Sequence, residues 1–295
     1  MKLDTVPRTA LLTAFQPEWD VLIHRVAHGD VFEIAGRQYV CGDLAGRAVV
    51  IAMTGMSMVN AAMTAQAVID HFDVERVVFS GIAGAIDPEV RVGDVIVPDR
   101  WAQSLEVILG RATESGFEKP GWLTWAAPLP AFGMMLPNTV VVGAPGRPAS
   151  PRLWFPVDPA LAAIARSLEA LSLADRTDER RALSHQPRLH VGGSAVSASA
   201  FVDNLDYRHY LFETFEARIA DMESAAAAQV AYANGVPFLA FRSVSDLAGA
   251  AEASNEMDIF MHLAAENALR VLRGFLVSLV AEAPKADVRR GGRPL

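Results

Sequence analysis

The chain has 295 residues, 52% hydrophobic and 20% charged, with a formal net charge of -8. That length and balance suit a globular chain with a substantial core, and the negative charge argues against nucleic acid as a partner, because such proteins usually present a basic face. The single cysteine, Cys41, excludes an internal disulfide, no zinc site is readable, and no apolar run reaches the ~20 residues that cross a bilayer.

The first residues, 1–7, are too short and polar for a signal peptide, so the expected compartment is the cytoplasm, or the periplasm if a leader has been removed. Residues 9–15 form an apolar run that predicts a buried strand, with a helix from about Glu18. Strands are expected at 31–40 and 47–53, joined by a turn near Gly42–Gly46, with an Ala-rich helix over 58–72. A buried strand at 76–79 leads into Ser80-Gly81-Ile82-Ala83-Gly84, which reads as a small-residue turn, and 92–97 follows as the next strand.

Residues 101–159 break this rhythm. They are rich in Pro and Gly and hold Trp101, Trp122, Trp125 and Trp154, four of the five tryptophans. So long a structureless loop is unusual in a compact domain. The segment reads as an inserted lid, an oligomer contact or a surface excursion with its own small core. Beyond it come a helix at 159–171, a charged linker at 175–181, a strand at 190–197, helices at 207–215 and 221–234, a strand at 237–244 ending in Ser245-Asp246, and a last helix at 256–280. Residues 283–295 have the composition of a disordered tail. Strands alternating with helices predict one α/β domain over 1–282, three-layered (α/β/α), with a mixed, mostly parallel central sheet. Ligands of such sheets bind outside the carboxyl ends of the strands. Phe15 to Glu18, Gly81 to Gly84 and Ser245-Asp246 lie at predicted strand ends, and Met222-Glu223 opens a helix, so the four places suggest one site.

Six segments carry a resemblance. They are LLTAFQPE at 11–18, TGMSMVNAA at 54–62, SGIAGAIDPEVRVGD at 80–94, SASAFV at 197–202, DMESAA at 221–226 and RSVSDL at 242–247. In this order they resemble the purine nucleoside phosphorylase/uridine phosphorylase superfamily, closest to its methylthioadenosine/S-adenosylhomocysteine nucleosidase branch. The likeness spans nearly the whole chain apart from the Trp-rich insertion. It implies the phosphorylase-like fold, a small nucleoside as substrate, no metal or organic cofactor, and a homodimer whose active site is completed across the interface.

Residue by residue, the resemblance makes Asp246 the acid at the purine. Cleaving an N-glycosidic bond leaves negative charge on the departing base, and a proton held at N7 neutralises it. The ordinary alternative for an Asp after a strand is a helix N-cap. Glu223 matches the glutamate that binds the ribose hydroxyls and stabilises the developing oxocarbenium, with Met222 against the sugar and Arg242 keeping Glu223 ionised. The alternative is an acidic first helical turn favoured by the dipole. Glu18 matches the glutamate that positions the attacking water; otherwise it is a surface residue after Pro17. Phe201 matches the aromatic that stacks on the purine, with Val202 offering backbone hydrogen bonds, and a core Phe is the other reading. Ser245, Ile82, Ala83 and Gly84 complete the expected wall, while Met257 and Phe260 either line the 5′ end or face the core.

Water and phosphate are the two nucleophiles used in this superfamily. A phosphate dianion needs arginines and hydroxyls. Where bacterial phosphorylases carry an Arg before the small-residue segment, this chain has Phe79, and where a hydroxyl is usual it has Ile82. A Gly-x-Pro-x-Arg motif after the first strand is absent. Hydrolysis is therefore the expected reaction, phosphorolysis the alternative. The Asp-Met-Glu-Ser-Ala-Ala wording also resembles nucleosidase-like storage and secreted proteins, which keeps a silent nucleoside-binding protein as a third reading. Met58 stands where relatives have Lys, and Ser104 lies where many have a His nearby.

Overall fold

A computed structural model describes residues 2–27, 29–177, 181–250 and 255–279. Strand β1 (Asp4–Thr13) is enclosed from Thr9 to Thr13 with no in-out alternation. A strand paired on both edges and covered on both faces reads that way. Helix α1 (Gln16–Ile23) follows with Pro17 in its first turn. The segment expected as one strand at 31–40 is a hairpin, β2 (Val31–Ile34) and β3 (Arg37–Leu44), because Ala35 and Gly36 take positive φ and turn the chain. The next turn falls at Ala45-Gly46, leaving Gly42 inside β3, before β4 (Arg47–Met53).

Helix α2 (Met58–His71) leads into β5 (Phe72–Ala85), a 14-residue strand. The small residues 80–84 do not turn. They continue the strand, and their lack of bulk leaves a hollow beside it. After β6 (Val95–Val97) comes β7 (Arg100–Gln103), which belongs to the central sheet and buries Trp101 completely. The excursion is thus shorter than 101–159. It holds β8 (Val107–Leu109), β9 (Arg111–Thr113), β10 (Gly116–Glu118), β11 (Met135–Pro137), β12 (Val140–Ala144) and β13 (Arg147–Arg152), paired as β9–β10, β8–β11 and β12–β13 outside the main sheet. Strand β14 (Phe155–Pro156) returns to pair with β7.

Helix α3 (Pro159–Arg166) is capped by Asp158, which accepts from the N–H groups of Ala160 and Leu161. The strand expected at 190–197 is split at Gly192-Gly193 into β15 (Leu189–Val191) and β16 (Ser194–Ser197), since both glycines have positive φ. Helix α4 (Leu205–Phe215) precedes β17 (Ala217–Asp221), so Asp221 ends a strand rather than opening a helix. Helix α5 (Ser224–Asn234), β18 (Phe238–Asp246) and α6 (Met257–Ser278) complete the order. The tail at 283–295 lies outside the described residues.

The sheet is mixed. Its path runs β14-β7-β16-β17-β5-β1-β4-β3-β2, with β18 beside β5 and β6, and β15 beside β6. The strands β4, β1, β5 and β18 are mutually parallel neighbours. Helices α1 and α6 pack together on one side and α2 and α5 on the other, which gives the three layers. Among the described residues no helix is long and apolar enough to cross a membrane.

Candidate active site

Four strand ends converge. Register pairs Leu12 of β1 with Phe79, and Asp246 of β18 with Gly84, so both strands run out beside the small-residue half of β5. Strand β17 runs antiparallel to β5, with Ala220 opposite Gly84, and brings Asp221 back to the same level. A cavity opens there. Its wall includes Glu18, Ile82, Ala83, Gly84, Phe201, Val202, Met222, Glu223, Ser245, Asp246 and Met257. Every residue given a place in the expected site is in this wall except Arg242 and Phe260. Phe260 packs into the main core instead.

Arg242 is fully buried beneath the cavity rather than in its wall, because it sits in the interior of β18 with neighbours on both sides. Its guanidinium lies 4.2 Å over the ring of Phe79. Its Nε–H is directed at Ser224 Oγ, 3.0 Å away, and its Nη1 donates to the carbonyl of Ile82 at 3.2 Å. Three carboxylates surround it. Asp221 Oδ2 is 2.8 Å from Nε, Glu223 Oε2 is 3.4 Å from Nη2, and Glu18 Oε1 is 3.7 Å from Nη1. One cation thus faces three buried acids.

Glu18 is not a surface residue. It is 4% exposed and accepts from two backbone amides, Ala14 N–H at 2.5 Å and Ile82 N–H at 2.8 Å. Burial pushes its carboxyl above the ordinary value, against the pull of Arg242. Gly81 explains the small-residue segment: a Cβ there would lie 2.2 Å from Glu18 Oε1 and 2.5 Å from Arg242 Nη1. The glycine leaves the space that this acid–base pair occupies.

Glu223 occupies the N-cap position of α5, yet its side chain caps nothing. The capping falls to Asp221, whose Oδ1 accepts from the N–H groups of Glu223 and Ser224 at 3.1 Å and from the hydroxyl of Ser197. Glu223 does open the helix, but its carboxylate faces the cavity instead of capping it. Its Oε1 accepts from Ser57 N–H at 2.8 Å. Burial raises it to about 7, opposed by Arg242 and reinforced by the charge of Asp221.

Among the described residues, Asp246 caps no helix either. Its Oδ2 accepts from the Ser245 hydroxyl at 2.9 Å, and its Oδ1 accepts from Ala248 N–H at 2.9 Å and from the Asn255 amide at 3.3 Å. Ser245 also reaches the carbonyl of Ala83 at 3.4 Å. Phe201 stands at the mouth, 53% exposed, which suits a ring awaiting a flat partner better than a core residue. Ile82 turns its side chain toward Ala264, Ala265 and Met257, so an apolar wall stands where a hydroxyl was expected.

The sequence analysis gave no role to Met56 and Asp221, and marked Phe15 only by its place at a strand end; all three line the cavity. Asp221 carried a usable signal, since Asp-x-Glu at a strand end places two carboxylates beside one buried arginine.

Residues 8–277 match the Phosphorylase superfamily. A 5′-methylthioadenosine/S-adenosylhomocysteine nucleosidase of Mycobacterium bovis is 28% identical over 252 residues, covering 84% of this chain and 89% of the relative. Among solved structures, a nucleosidase of that name from Neisseria meningitidis, in complex with methylthio-immucillin-A, is 24% identical, covers 92% of this chain and 99% of that one, and superposes with a TM-score of 0.67. A futalosine hydrolase of Helicobacter pylori is 20% identical, covers 93% and 99%, and has the same TM-score. At these identities the structural likeness is one of fold.

Proposed function

The chain belongs to the phosphorylase superfamily, and from that membership we propose that it hydrolyses the N-glycosidic bond of a purine nucleoside of the methylthioadenosine/S-adenosylhomocysteine type, releasing adenine and a ribose derivative. One observation carries the choice of water over phosphate. Among the described residues, every charged side chain in the cavity wall is a carboxylate: Glu18, Asp221, Glu223 and Asp246. The neighbouring cation, Arg242, is buried below and already faces three of them. A phosphate dianion would meet this wall without compensation, whereas water and a developing positive sugar suit it.

In this reading the purine lies against Phe201, with its N7 toward Asp246. As the glycosidic bond breaks, its electron pair goes to the base, and the Asp246 proton passes to N7. Positive charge grows on the ribose, and Glu223 steadies it while accepting hydrogen bonds from the sugar hydroxyls. Glu18 takes a proton from water as the oxygen attacks the anomeric carbon. Arg242 anchors both glutamates. Met257 and Phe15 give the far end an apolar lining that fits a 5′ thioether.

The same reading includes a homodimer. Met56, Val59 and Met63 are 57%, 70% and 51% exposed along the start of α2, near the exposed Phe201. Such a patch at a site mouth suits a second copy. Incubation with methylthioadenosine in phosphate-free buffer should release adenine. Absence of release from methylthioadenosine, adenosine and inosine would sink the proposal, and strict dependence on phosphate with ribose 1-phosphate as product would replace it with phosphorolysis.

A further inference from the structure

Ser57, just before α2, has φ 83° and ψ 159°. That backbone region is essentially reserved for glycine, and a side chain held there is strained. Such strain persists only where the surroundings hold it in place, and here two hydrogen bonds do so. The Ser57 N–H donates to Glu223 Oε1 at 2.8 Å. The Ser57 hydroxyl donates to Ser199 Oγ at 2.7 Å.

Those bonds lead to two different elements beside the cavity. Glu223 is the group read as gripping the sugar. Ser199 lies in the connection from β16 to α4, whose next three residues, Ala200, Phe201 and Val202, all line the cavity. This connection is held at Ala198, whose N–H donates to the carbonyl of Asp221, and at Asn204, which caps α4. Between those anchors, Asp203 is tied to Asn255 on the far side and Ser199 to Ser57 on the α2 side. Phe201, half exposed, has little packing of its own to fix it.

We propose that Ser57 is a positioning residue: by bonding Glu223 and Ser199 at once, it fixes the distance between the sugar grip and the base-stacking ring. The proposal rests on the nucleosidase reading of the cavity. A glycine at 57 would keep the amide bond to Glu223 and relax the backbone, but would free the Phe201 loop. The strained serine therefore trades stability for registration of the two elements.

Three variants separate strain from tie. Ser57→Gly removes both, Ser57→Ala keeps the strain and loses the hydroxyl, and Ser199→Ala removes only the partner. With methylthioadenosine as substrate, each should raise KM roughly five- to tenfold, the worth of one hydrogen bond, with a smaller effect on kcat. Only Ser57→Gly should raise Tm. The Ser57→Gly/Ser199→Ala double variant should be no worse than either single variant. Calorimetric Kd values for adenine, and for methylthioadenosine where it is not cleaved, provide a readout independent of turnover. KM and Kd unchanged within twofold in the single variants, or effects that multiply in the double variant, would overturn the proposal. Wild-type protein that binds methylthioadenosine without cleaving it would sink the nucleosidase reading and leave the tie readable in Kd. Wild-type protein that binds neither ligand would overturn both.

Discussion

Glu223→Gln tests the electrostatics of the site most directly. In the folded chain, burial carries the Glu223 carboxyl from 4.5 to about 7, against Arg242 and with the help of Asp221. Ionising it inside the fold therefore costs about 3 kcal/mol more than in the unfolded chain, at about 1.4 kcal/mol per pH unit. The folded value lies above the unfolded one. The stabilisation from the protonated form is thus complete below pH 4.5 and is lost as pH rises through about 7. A glutamine cannot ionise, so the variant lacks this decline. Any loss from turning an amide toward Arg242 is the same at every pH and drops out of the slope. Thermal melts of both proteins from pH 5 to pH 8 should show the Tm difference, variant minus wild type, rising by about 5–10 °C. Base release should be lost throughout. A difference that stays flat would leave Glu223 titrating as an ordinary surface acid, and one that falls would mean that Arg242 outweighs burial; either would refute the reasoning.

Asp246→Asn should lower the rate of adenine release by roughly 10²–10⁴ while leaving the melt nearly unchanged, because an asparagine oxygen can still accept from Ala248 N–H. Arg242→Met should destabilise by about 3–5 kcal/mol, since it leaves three buried carboxylates without a cation; denaturant titration reads this, and the deficit should shrink at acid pH as those groups take up protons. Cys41 is buried and its thiol is pushed up to about 11, so the folded protein at pH 8 should not react with a disulfide reagent, and the chain in guanidinium should react fully.

Much of the fold could be read in advance because burial leaves a direct imprint. The apolar runs at 9–15, 47–53 and 237–244 correspond to β1, β4 and β18, and the Ala-rich stretches to α2 and α5. The errors share one cause: glycine and small residues have several uses. At Ala35-Gly36 and Gly192-Gly193 they turn or break the chain through positive φ. At Gly81 the same residue type sits in a continuous strand, because Glu18 and Arg242 fill the place of its side chain. Only the tertiary contact separates the two uses. Strands β7 and β17 were hidden for a related reason. They are short, and their neighbours in the sheet come from distant parts of the chain. The placement of Glu18, Glu223 and Asp246 around one cavity, and the pairing of Arg242 with Glu223, were legible from strand ends and family likeness, but the packing of Phe79 under Arg242 and the approach of Glu18 to the same guanidinium were not. Those contacts are made of side-chain directions, which a linear pattern does not carry.

The continuous course of β5 past the cavity has an implication for how the protein can be altered. Its residues, with those of β18, belong to the most enclosed part of the sheet, and their amides should exchange with solvent only when the whole domain opens. The groups that hold Glu18 and Arg242 are therefore inseparable from folding, and substitutions there are screened first by whether a protein forms at all. The rim is different: the residues just before α2, the loop bearing Phe201 and the side chain of Asn255 are held by a few hydrogen bonds. Directed variation aimed at ligand preference has room there, where a change does not have to survive a change in the folding core.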